Sequence, residues 1–411
     1  MAEENKTVAA PAVELKKTDA KPEAKPAAAP AAKPAAAAQP AAAAAAKPAA
    51  KPAAKPAAAK KERLILDVAY QPQVKTARTA RSLMLDVIIA LIPSVIVAVV
   101  QYGFYPLAVI AISMASAAFF EWGYRKLLKK SNTVGDLSAC LTGMLLALTL
   151  PSNTPLWIPV IGTFFAIVVV KQLYGGIGKN FLNPALAGRA FLLASYGTFL
   201  SGKFAVPASL AKAGVDGATM ATPLAELYGG SALSSTVTVK NLLLGATPGC
   251  IGELSVIAIL MGAAYLLAAG VITWHIPVSF VGTVAALTVI FGREGYSNVS
   301  WMLLNLCSGS MLFGACFMAT DYASSPLTPG GQIIYGIGCG IMVVLIRYFG
   351  GYPEGTTYAI LLMNVCAWSI DKLFRRRQLG GYSRGDQQII DKAAKYSRLA
   401  KEYSEKAGDL K

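Results

Sequence analysis

Charge is scarce in this chain. Only 15% of its 411 residues are Asp, Glu, Lys or Arg, against about a quarter in a typical soluble domain. With 55% hydrophobic residues and a mean hydropathy of +0.50, an ordinary soluble enzyme is excluded. There is one histidine, His275, next to Trp274. One imidazole builds no metal site, and a membrane-interface position is expected for it. The six cysteines, Cys140, Cys250, Cys307, Cys316, Cys339 and Cys366, form no C-x-x-C pair. That spacing supports neither a disulfide framework nor an iron–sulfur cluster, so they read as small packing residues. No glycine-rich nucleotide fingerprint is present. The net charge of +16 looks like a nucleic-acid binder until it is located. Residues 1–61 carry +6 and residues 372–411 another +6, leaving +4 for the body between them. Basic tails around an apolar body encode membrane orientation, and nucleic acid is excluded as a partner.

Residues 8–60 are almost entirely Ala, Pro and Lys. Proline every few residues prevents a continuous helix, and alanine alone forms no core. A disordered tether is expected over 1–63, held in the cytoplasm by its charge near anionic lipid or an acidic partner. It has no compact apolar region and no cleavage site, so it is not a signal peptide.

From Leu83 the chain reads as ten apolar runs: 83–101, 105–121, 136–150, 156–174, 181–199, 253–271, 277–291, 300–318, 332–349 and 356–373. Several fall short of the roughly 20 residues of a straight span, so broken or re-entrant pieces are expected. Lys75, Arg78 and Arg81, then Arg125, Lys126, Lys129 and Lys130, then Lys171 and Lys179, and finally Arg375, Arg376 and Arg377 all fall on one side. With both termini inside, that side is the cytoplasm, and the polar stretch 200–252 faces outward. Arg293 and Arg347 fall on the wrong side; they are minor exceptions or they bind something.

The chain also repeats itself. A shift of 175 residues superposes Leu137 on Leu312, Pro151 on Pro326, and Gly175-Gly176 on Gly350-Gly351. Each half holds five runs. Five is odd, so the second copy must be inverted, as in many transporters and channels. The expected fold is an all-α integral membrane protein of ten transmembrane helices in two inverted five-helix repeats. It divides into repeat 1 (64–199), an extracytoplasmic loop (200–252), repeat 2 (253–374) and a basic cytoplasmic segment (375–411). Helix breaks are expected at 150–155 and 324–330, where Pro and Gly cluster.

Residues 178–192, from Gly178-Lys179-Asn180-Phe181-Leu182-Asn183-Pro184 through Gly188-Arg189 to Leu192, resemble the signature of two related membrane flavoproteins. These are the B subunit of the sodium-translocating NADH:quinone reductase and the D subunit of the Rnf complex. The run Gly350-Gly351-Tyr352-Pro353-Glu354-Gly355-Thr356-Thr357-Tyr358 is closer to the Rnf member of the pair, as are Ala319-Thr320-Asp321 and Leu85-Asp86-Val87. The resemblance covers about 64–378. It implies one component, not a complete enzyme, of a bacterial inner-membrane complex. That complex couples electron transfer between ferredoxin and NAD to Na⁺ or H⁺ transport. It also implies a urea-channel-like fold, the A, B, C, E and G subunits of Rnf as partners, and an FMN joined through its phosphate to a threonine by a flavin transferase.

The family's attachment motif runs Asp-x-x-Ser-Gly-Ala-Thr. Here Asp216-Gly217-Ala218-Thr219-Met220-Ala221-Thr222 keeps the Asp-to-Thr spacing but replaces Ser and Gly by Thr219 and Met220. Thr222 is the expected acceptor, with Thr219 as the alternative. In the quinone-reductase relative the region of Asn183 and Arg189 is associated with a non-covalent riboflavin, which carries to Asn183 here. Among acids at or near span ends, Asp86, Glu121, Asp136 and Glu253 read as interfacial. Asp321 and Glu354 flank the broken part of repeat 2 and are expected on an ion path. The rival readings are the B subunit of the quinone reductase and a passive urea-type solute channel, which would need no flavin threonine.

Overall fold

The computed structural model describes residues 78–201, 204–212, 219–229, 237–293, 295–351, 354–374 and 391–399. The Ala/Pro/Lys tail, Asp216 and most of the C-terminal segment lie outside the described residues. The first half contains α1 (Ala80–Tyr102), α2 (Tyr105–Leu127), α3 (Ser138–Leu148), α4 (Trp157–Phe164) and α5 (Pro184–Ser195). The middle stretch holds α6 (Gly197–Leu200), β1 (Phe204–Ala205), α7 (Ala208–Lys212), β2 (Thr219–Met220), α8 (Pro223–Tyr228) and α9 (Val239–Leu244). The second half contains α10 (Val256–Ala268), α11 (His275–Ile290), α12 (Asn298–Cys307), α13 (Met311–Phe313), α14 (Pro329–Phe349) and α15 (Thr356–Leu373).

Polar caps and prolines fix where these helices begin. Thr79, Asn183, Thr222, Ser255, Ser297 and Thr328 each accept a backbone N–H of the first turn of α1, α5, α8, α10, α12 and α14. Proline follows the cap directly at Pro184, Pro223 and Pro329, where its missing N–H costs nothing. Among the described residues three helices, α1, α2 and α14, are long and apolar enough to cross a membrane. Shorter apolar helices accompany them: α3, α10, α11 and the run Trp157–Gln172. Many large apolar side chains on α1 and α14, such as Ile96, Val100 and Leu345, remain exposed. That suits a lipid-facing surface and not water.

Three details depart from the sequence reading. Span four is not one regular helix: α4 runs on as a π-helix over Phe165–Gln172. Span eight is not one helix either. Its two pieces, Asn298–Cys307 and Met311–Met318, bend by 63° because Ser308 is extended and Gly309 takes φ +72°. The middle stretch carries a two-residue antiparallel ribbon, Phe204 opposite Met220 and Ala205 opposite Thr219.

The expected break at 150–155 is satisfied from far along the chain. Ile251 N–H donates to Leu150 O at 3.0 Å and Gly252 N–H to Leu148 O at 2.7 Å. A Cβ at Gly252 would stand 2.8 Å from Leu148 Cβ, so only glycine permits that approach. Across the halves, α1 packs on α10 and α5 on α15. One large core runs through both, centred on residues such as Leu91, Leu146, Phe280, Phe313 and Tyr335.

Candidate functional site

Thr222 is the N-cap of α8: its Oγ1 accepts from Ala225 N–H at 3.2 Å, and the residue is buried. Thr219, the alternative acceptor, lies exposed on the β-ribbon. Helix α8 is held firmly. Leu224 and Leu227 enter a small core with Leu242, Trp301 and Leu304. Tyr228 Oη donates to Asn305 Oδ1 at 2.7 Å, and the Arg293 guanidinium donates to Leu227 O near the end of α8. Arg347 Nη1 donates to Asn305 O at 2.8 Å. Of the two arginines on the unexpected side, Arg293 holds α8 directly, and Arg347 holds α12, whose Asn305 accepts from Tyr228 of α8.

Thr222 lines a narrow cavity of about 10 Å³ together with Leu224, Gly249, Glu253, Gly309 and Glu354. Behind it lies a buried polar cluster. Arg189 forms an ion pair with Glu354 and donates to Cys250 Sγ at 3.7 Å. Glu253 Oε1 accepts from Cys250 N–H at 2.8 Å, while Glu253 Oε2 has no partner. Cys250, Glu253 and Glu354 offer atoms within 4.8 Å of one another, a spacing a metal could use. Arg189 already supplies the cation there, so the set reads as a charge network.

A second, larger cavity of about 510 Å³ is lined by Asn180, Asn183, Lys171, Ser138, Asp321 and Phe317 among others. Asn183 caps α5 and donates from Nδ2 to Met318 O at 3.0 Å, tying α5 to the second half. Asp321 Oδ2 accepts from Ser324 Oγ at 2.9 Å, and burial pushes its carboxyl above the usual range. Lys171 donates to Glu121 Oε2 and to Ser138 Oγ, both at 2.7 Å. Glu121, read in sequence as an interfacial acid, is thus a buried ion-pair partner.

The structure therefore sorts the sequence candidates differently. Glu354 lines the cavity at Thr222 and is paired with Arg189, whereas Asn183 and Asp321 share the larger cavity. Arg189 lies six positions after Asn183, about 9 Å along a helix, which separates two residues that belong to one signature. Lys171, Glu121, Cys250 and Arg347 join the site only in the structure; in sequence they stood out as an orientation charge, a span-end acid, an isolated cysteine and a charge on the unexpected side.

Long apolar helices with exposed apolar side chains define a membrane protein, here enclosing buried ion pairs, a small polar cavity and a larger, mostly apolar one. The model of the NQR2, RnfD, RnfE family matches residues 67–380. The D subunit of the Na⁺-translocating ferredoxin:NAD⁺ oxidoreductase complex of Acetobacterium woodii is 44% identical over 77% of this chain and 96% of its own. The D subunit of the proton-translocating ferredoxin:NAD⁺ oxidoreductase complex of Clostridium ljungdahlii is 37% identical, over 78% and 98%. The D subunit of the ion-translocating oxidoreductase complex of Stutzerimonas stutzeri is 36% identical, over 78% and 97%. The chain belongs to the NQR2, RnfD, RnfE family.

Proposed function

We propose that this chain is the D subunit of an Rnf-type complex in the bacterial inner membrane, coupling electron transfer between ferredoxin and NAD to Na⁺ or H⁺ transport. The observation that carries the reading is near-full-length similarity to relatives that are D subunits, joined to a capped, buried threonine at the motif position. The A, B, C, E and G subunits supply the other centres. The ten-span, inverted-repeat arrangement is the fold this reading implies; its support is that matching elements of the two halves meet, α5 packing on α15 and Arg189 on α5 reaching Glu354 just before α15.

FMN, when bound, supplies one- and two-electron redox chemistry. Thr222 fits as its anchor. Its oxygen accepts from Ala225 N–H, so the hydroxyl keeps its own proton and a second lone pair. With a flavin transferase, that oxygen would take up the flavin-side phosphoryl group of a flavin dinucleotide, with AMP as the leaving group carrying away the hydroxyl proton. The cavity at Thr222, about 10 Å³, would not admit a flavin ring. The larger cavity, with apolar walls and the amides of Asn180 and Asn183, suits a non-covalent riboflavin. In-gel flavin fluorescence of the denatured chain tests the assignment. A dark band with an intact complex would favour the channel reading.

Two further results are expected. Lys212→Cys, at the exposed end of α7, reacts with an impermeant thiol reagent on intact cells, and Lys129→Cys only after permeabilisation; the reverse would overturn the orientation. Asp321→Asn lowers ion uptake per electron in vesicles while leaving flavin content unchanged. The half-buried carboxylate, beside the Ser324 hydroxyl, offers a hard cation oxygen ligands and one charge. An unchanged ratio would remove Asp321 from the ion path.

A further inference from the structure

We propose that Thr133, Glu121, Lys171 and Ser138 form a proton relay joining the loop after α2 to the ligand of the larger cavity. The proposal rests on the reading of that cavity as a site for a non-covalent flavin, and it assigns the residues that supply the flavin with protons.

Each link of the chain is in place. Thr133 lies half-buried in the loop between α2 and α3, next to the exposed Ser131 and Asn132. Its Oγ1 donates to Glu121 Oε1 at 2.5 Å. Glu121 is buried on α2, and its other oxygen, Oε2, accepts from Lys171 Nζ at 2.7 Å. Lys171 Nζ also donates to Ser138 Oγ at 2.7 Å. Lys171 and Ser138 both line the larger cavity, whose walls are otherwise mostly apolar. Four side chains thus connect a polar loop to a cavity through an apolar wall. A clamp between α2 and α4 would need the ion pair alone. It would need neither the hydroxyl on the loop side nor the cavity on the other. Lys171 also sits in the π-helical stretch Phe165–Gln172, a rare geometry that recurs at functional sites.

The ammonium suits the task. It has three N–H groups, and its bonds to Glu121 and Ser138 use two of them. The third is left for a ligand in the cavity. When electrons from the partner subunits reach that ligand, an Nζ–H bond breaks and the proton passes to it. Glu121 Oε1 takes a proton from the Thr133 hydroxyl, whose oxygen takes one from water at the loop. The carboxyl group turns and returns its proton to Nζ. One proton enters from the loop for each one delivered, and the four residues end as they began. The other charged or titratable groups acting on the pair are Arg125 on α2, Asp136 before α3, Cys140 on α3, and Asp321 in the same cavity.

The test uses the assembled complex. Flavin bleaching after addition of NADH is followed by stopped flow in H₂O and in D₂O, and riboflavin extracted from the denatured complex reports occupancy. Thr133→Val removes one hydroxyl and keeps the shape of the side chain. Thr133 does not line the cavity, so riboflavin content should stay at the wild-type level. The D₂O-sensitive phase of bleaching should slow by about tenfold or more. Thr133→Ser restores the hydroxyl and should recover most of the rate. Lys171→Met combined with Glu121→Gln strands no charge and should slow the same phase at least as far. Full riboflavin with a wild-type rate in Thr133→Val would overturn the relay and leave the flavin reading standing. Equal slowing by valine and serine would trace the effect to the loop's structure and also overturn the relay. A wild-type complex that yields no riboflavin would overturn the flavin reading, and the relay with it. If the Lys171 and Glu121 double variant fails to assemble, the comparison of valine with serine at Thr133 decides.

Discussion

Thr222→Ala is expected to remove all covalent flavin from the chain, while Thr219→Ala keeps it. The two threonines are three residues apart and look alike in sequence, but their settings differ. Thr219 is exposed on a two-residue ribbon. Thr222 is buried, fixed by the proline that follows, and held in one rotamer by the cap bond from Ala225 N–H. Losing the cap costs about 1 kcal/mol, too little to unfold α8, whose Leu224 and Leu227 stay packed. Membrane insertion and complex assembly should therefore survive, and fluorescence should vanish. Mass spectrometry that places the adduct on Thr219 would show that the motif is read in the wrong register.

Lys171→Met should destabilise the protein by roughly 3–5 kcal/mol, the cost of leaving a buried charge without its partner. The ion pair with Glu121 is almost completely enclosed, with side chains 4% and 1% exposed. After the substitution Glu121 would keep only the Thr133 hydroxyl, which donates to its other oxygen at 2.5 Å. Adding Glu121→Gln in the same chain removes the stranded charge and should recover most of the loss. A double-mutant cycle, followed by denaturation of the purified protein in detergent, reads the coupling directly. A single-mutant cost below about 1 kcal/mol would mean that water reaches the pair.

Helix positions were largely legible in the sequence, because hydropathy is a local signal: the runs 83–101, 105–121 and 356–373 fall on α1, α2 and α15. The caps at Thr79, Asn183 and Thr328 play no part in that placement. The bend at Ser308 to Ser310 was hidden, because an apolar run with one glycine also fits a continuous helix. The candidate site was half legible. Thr222 came from a motif, while Glu354 and Arg189 each stand out in the sequence with nothing to join them. Their partnership spans 165 residues, and no local pattern encodes which distant acid a buried arginine meets. The same holds for Lys171 and Glu121, which only the tertiary fold brings together. Arg293 and Arg347 looked like violations of the orientation rule because that rule counts charges and ignores hydrogen-bond partners.

The strand-like pairing of Ile251 and Gly252 with the end of α3 has a consequence for biogenesis. The carbonyls of Leu148 and Leu150 leave the ribosome about a hundred residues before their donors do. At about 5–20 residues per second, that is a wait of roughly 5–20 s. During it, the nascent first half must shelter two open acceptors in the insertion machinery or among lipid headgroups. A fragment ending before residue 250 should therefore be cleared by membrane proteases when expressed alone. It should accumulate when the remainder of the chain is supplied as a separate polypeptide.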